Sequence, residues 1–64
     1  MSALRDVMLA NRTDPADWTS DQLSEGISAA LKDRDFLAVQ GFMTLMAVRD
    51  PDRAGLLYDL LTLP

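Results

Sequence analysis

Phe36 to Val48 reads FLAVQGFMTLMAV, thirteen residues of which only Gln40 and Thr44 are polar. These two stand four apart, so on a helix they form one thin wet stripe and the rest of the circumference is apolar. Such a helix calls for burial on nearly all sides. A chain of 64 residues has few other elements with which to bury it, so part of this surface is expected to belong to a partner. The stretch is also too short to span a bilayer, since thirteen residues at helical rise reach only about 20 Å.

The segments on either side also read as helical. Glycine and proline are sparse, and β-branched residues never cluster with period two. Pro51 disfavours helical geometry at Asp50 and ends the apolar helix at about Arg49, which suits the C-terminal dipole. Asp50 then caps a last helix with Pro51 and Asp52 in its first turn. That helix carries two apolar stripes, Ala54, Leu57, Tyr58, Leu61 and Leu56, Leu60, Leu63, where one amphipathic face needs only one.

Upstream, Lys32-Asp33-Arg34-Asp35 is expected to separate the apolar helix from its predecessor, because either Asp can cap a helix. No Gly or Pro enforces the break, and one continuous helix from Ser20 to Arg49 is the alternative. The preceding helix has the best start signal in the chain. Thr19 and Gln22 form a capping box, and Trp18 and Leu23 are placed for a hydrophobic staple across it. On this reading Trp18→Ala loosens the start of that helix. Asp14-Pro15 marks a turn, and a short first helix runs from Ala3 to Ala10 with Ser2 as its N-cap. The expected fold is all-α, one small domain over residues 1–64, with three or four short helices in hairpins around a central apolar helix at about 36–49.

Composition narrows the function. There is no cysteine and no histidine, which removes disulfides, thiolate metal sites and the commonest general base. Ten acids against six bases give a net charge of −4, which repels phosphate backbones, so direct nucleic-acid binding is not expected. No export signal or membrane span is evident. The expectation is a soluble cytoplasmic protein, or a virion component if the gene belongs to a phage. Five Arg to one Lys, with eight Ala, fits a GC-rich bacterial genome or its phage.

Four patterns invite a sharper reading. Asp33-x-Asp35 and Asp50-x-Asp52 look like fragments of a calcium loop but lack its remaining ligands, and helix capping accounts for both. Ser20 at a helix start is similar to the prosthetic-group serine of acyl carrier proteins, which stands in Asp-Ser-Leu where this chain has Thr19-Ser20-Asp21. The two central helices could be cast as a helix-turn-helix, yet the second offers only Gln40 to base edges. Asp35-Phe36, Asp50-Pro51, Ala54 and Tyr58 resemble a tetratricopeptide hairpin, with Val39 and Met46 at or near places where that family has small residues. No catalytic, cofactor-binding or metal-binding residue is assigned, and no cofactor or small-molecule substrate is expected.

The sequence therefore predicts a non-enzymatic interaction or structural protein that docks by apolar helix surface. Its partner is a protein, either a copy of itself or a larger assembly in which it is an accessory subunit. Phe42, Met43, Met46, Leu56, Leu60 and Leu63 are the expected contact residues. The alternative is an acidic regulator or inhibitor whose Asp-rich faces bind a basic partner protein.

Overall fold

Each helix begins on the residue that the sequence marks for it. In the computed structural model, which describes residues 2–63, α1 spans Ala3–Ala10, a 3-10 turn follows at Pro15–Asp17, and α2 spans Ser20–Lys32, α3 Phe36–Arg49 and α4 Pro51–Thr62. The N-caps Ser2, Thr19, Asp35 and Asp50 accept hydrogen bonds from the backbone N–H of Arg5, Gln22, Ala38 and Arg53. The capping box at α2 is complete, because Thr19 N–H also donates to Gln22 Oε1 at 2.8 Å. All-α architecture follows, with four helices packed against one another.

The break between α2 and α3 is real, and its cause is one the sequence reading did not supply. Asp35 N–H donates to Ala30 O and Arg34 N–H to Leu31 O, the paired bonds of a Schellman motif that satisfy carbonyls at the helix end. Arg34 sits at φ 55°, in the left-handed region where glycine usually stands. The continuous-helix alternative is thereby excluded. At the other end of α3 a single residue, Asp50, closes one helix and caps the next.

The core lies between α2 and α3. Leu23, Ile27 and Ala30 of α2 meet Val39, Phe42 and Met46 of α3, with Trp18 and Ala54 completing the cluster. Trp18 is fully buried, stacks on Phe42 at a centroid distance of 5.5 Å and 14° between planes, and donates from Nε1 to Thr13 O at 3.0 Å. Trp18 and Leu23 share this core, as the staple requires, but Trp18 is central to the whole fold and does more than fasten one helix start. Gly26 makes room for it. A Cβ there would stand 3.1 Å from Trp18 and 3.2 Å from Phe42.

Burial of α3 on nearly all sides is not what the structure shows. Val39, Phe42 and Met46 are buried, Ala38, Met43 and Leu45 are half-buried, and Leu37 and Val48 face outward. The physical reason is the packing order. α1 packs on α2, α2 on α3 and α3 on α4, with the 3-10 turn also touching α3, so α3 has cover on one side and its flanks while its far side has none.

These contacts set opposite expectations for similar changes. Trp18→Ala should lower unfolding free energy by about 3–5 kcal/mol, a global loss in place of local fraying. Gly55 has open space where a Cβ would go, so Gly55→Ala should stabilise by about 0.5–1 kcal/mol. Gly26→Ala should destabilise by about 1 kcal/mol, because crowding two packed rings outweighs the same gain in helix propensity. Urea titrations of the three variants measure all of this.

Candidate functional site

The six residues expected to meet a partner divide by depth. Met46 is wholly buried and Phe42 nearly so. Both belong to the chain's own core and are not presented on its surface. The Gln40–Thr44 stripe stays exposed and marks the outer side of α3, while Trp18 and Gly26 meet the opposite side, which bears Phe42 and Met46. Met43 is half-buried against the core. Leu56, Leu60 and Leu63 are each 66% exposed on α4.

Helix α4 leaves the core early. Ala54 is buried and Leu57 half-buried, but Tyr58 and Leu61, on the same stripe, are exposed. Its start is tied to the start of α2 by Arg53, whose Nη1 donates to Asp21 Oδ1 at 2.6 Å and Ser20 Oγ at 3.3 Å. An exposed pair of this kind contributes at most about 1 kcal/mol, so it orients α4 more than it anchors it. Further along, the two helices flank an apolar groove of about 230 Å³ between Ile27 and Leu31 of α2 and Leu57, Leu60 and Leu61 of α4. Ser24 and Ser28 supply the only polar side chains of its lining. The volume falls below the roughly 300–1,000 Å³ of small-molecule sites and suits one or two apolar side chains of a partner.

The acids have a different occupation. Asp14, Asp35 and Asp50 cap the 3-10 turn, α3 and α4, and Asp21 pairs with Arg53. Asp33 reaches across to α1, where its carboxylate accepts from Ser2 Oγ at 2.5 Å, Ala3 N–H at 2.9 Å and Leu4 N–H at 2.8 Å. The Ser2 hydroxyl first, and then the Leu4 and Ala3 N–H groups, hold this carboxyl below the usual carboxylate range. The sequence offers either Asp33 or Asp35 as the cap of the following helix; Asp35 takes that place, and the role of Asp33 toward α1 was missed. The partner lies 31 residues away, and no local signal marks it.

Among the described residues no three His, Cys, Asp or Glu side chains gather as metal ligands, and no helix is long and apolar enough to cross a membrane. Ser20 at the head of α2 is half-buried beside Arg53. Comparison with protein families, with curated proteins and with solved structures returned no match to this chain.

The Asp33 contacts generate a pH dependence. A carboxyl whose pKa is depressed by folding stabilises the fold above its unfolded pKa of about 3.9. That contribution is lost as pH falls through the lower folded value. Docking of α1 should therefore be full at neutral pH and weaken in acid, where the packing of Leu4 and Val7 remains, and Asp33→Asn should weaken it at every pH above about 4. Amide exchange at Ala3 and Leu4, followed against pH, is the measurement.

Proposed function

We propose that this chain is a small, non-enzymatic interaction protein that docks through apolar helix surface, joining copies of itself or seating as an accessory subunit in a larger assembly. The observation that carries the reading is the groove between α2 and α4, with Leu60 at its wall and Leu56 and Leu63 exposed on the same helix. Paired helical stripes around an apolar groove form a seat for an apolar helix face. Leucines left two-thirds exposed at steps of four and three residues make a ridge of matching chemistry.

The acidic-regulator alternative has less need of the Asp residues. Asp14, Asp33, Asp35 and Asp50 are engaged as caps, so much of the Asp content is explained by helix starts and does not need a basic partner. An acid–base or nucleophilic centre would need neighbouring groups within hydrogen-bond reach of one another, and among the described residues the side-chain hydrogen bonds serve caps, helix junctions and, at Thr44 and Thr62, the backbone of the same helix.

Apolar docking has a salt signature. Assembly should persist or strengthen at about 1 M salt, where charge-led docking is screened away. In sedimentation, alone and with extract of the source cells, the wild-type chain should run above its 7.1 kDa mass. Leu60→Asp should remove the groove-dependent part with far-UV circular dichroism unchanged. A clean 7.1 kDa species under both conditions contradicts the reading.

A further inference from the structure

The side of α3 turned away from the core carries Leu37, Gly41, Thr44 and Val48, at steps of four, three and four, the spacing that keeps side chains on one seam of a helix. All four are exposed, and Leu37 at 82% and Val48 at 84% are the most exposed large apolar side chains among the described residues. Nothing lies within 4 Å of where a Gly41 Cβ would be. No contact inside the chain requires glycine there, although glycine weakens a helix interior.

The stripe reads the same in both directions: large, small, small, large. Two copies of α3 laid antiparallel about a twofold axis between Gly41 and Thr44 set Leu37 of each against Val48 of the other, and Gly41 against Thr44. Small residues at the crossing allow axes to approach to the near end of the usual range of about 8–10 Å, and the large ones close the ends. Charge fits the same arrangement. By register each end brings the Arg34–Asp35 corner of one copy to the Arg49–Asp50 corner of the other, two cations with two anions, although each chain carries −4. Arg49, Asp35 and Asp50 also hold Ala16 O and the starts of α3 and α4. The helix dipoles also oppose.

Surface area points the same way. The chain exposes 4610 Å², against about 4,100 Å² for a folded monomer of its mass. The excess of about 500 Å² is shared by all the uncovered faces, α4 included, and is over half of the roughly 800 Å² that each partner buries in a standard interface.

We propose that α3 pairs antiparallel with α3 of a second copy through Leu37, Gly41, Thr44 and Val48, forming a twofold-symmetric dimer. This rests on the docking reading above and names the partner for one of the two uncovered surfaces. The α2–α4 groove stays open in that dimer.

The absence of native cysteine allows a direct test. Leu37→Cys and Val48→Cys chains, prepared separately, are mixed and oxidised. A disulfide should join one variant to the other and not either to itself, because like positions lie eleven residues of helical rise apart, about 16 Å, beyond the roughly 7 Å limit between bridged Cα atoms. Gly41→Leu should keep the helicity and weaken self-association by about thirtyfold or more, the loss expected of a central contact. Sedimentation should show the mass falling from twice 7.1 kDa to 7.1 kDa. A Leu37→Cys chain that bridges to itself, a Gly41→Leu dimer of wild-type affinity, or a wild-type monomer that uses this stripe for a different protein each overturns the proposal. If Leu60→Asp abolishes assembly and Gly41→Leu does not, the docking reading stands and the α3 dimer falls.

Discussion

The stacking of Trp18 on Phe42 above Gly26 is the contact on which the rest of the structure depends. Trp18 belongs to neither α2 nor α3, and it reaches both from the linker before α2. Its Nε1 bond to Thr13 O fixes the ring from the linker side, and the missing Cβ of Gly26 lets it lie close to α2. A buried aromatic of this kind removes about 150–250 Å² from water. At about 25 cal/mol per Å² that is roughly 4–6 kcal/mol, comparable with the whole net stability of a domain this size, about 3–10 kcal/mol. Once the ring is in place, α3 must present Phe42 and Met46 to it, and the outward direction of Leu37 and Val48 follows from helix geometry.

Helix ends were legible because their signals are local. Ser2, Thr19, Asp50 and Pro51 each act within four residues, and the elements begin where those residues stand. The α2–α3 break was legible only as a cluster of charged residues, since its enforcing feature is a left-handed arginine and not a glycine. Long-range features were not legible. Asp33 looks like any acid near a helix start, and its α1 partners are set by tertiary packing. Gly26 could have been noticed, since it falls on the apolar face of α2 between Leu23 and Ile27, a position where a residue without a side chain marks the approach of something large.

The candidate contact surface was half legible for a related reason. On α4, two apolar stripes exceed what one core can use, and the structure leaves Leu56, Leu60 and Leu63 exposed. On α3 the direction was legible in the Gln40–Thr44 stripe, which faces outward opposite Val39, Phe42 and Met46. The contact residues were not chosen by it, so Phe42 and Met46 were assigned outward although they pack within the chain. The acids show a comparable ambiguity, because capping and partner recognition favour the same residue type at the same helix ends.

The packing order, in which each helix rests on its neighbour in sequence, bears on how the chain reaches this state. Loops that must close between successive helices are short, so little chain entropy is lost before favourable contacts form. Helical topologies of this sort fold in microseconds to milliseconds, whereas synthesis adds only about 5–20 residues per second. Each hairpin can therefore close quickly once both of its helices are free of the ribosome. Helix α4 completes the core through Ala54 while its leucines stay outside. Fast closure of the hairpins shortens the interval in which those leucines accompany an unfolded core and the chain is open to aggregation.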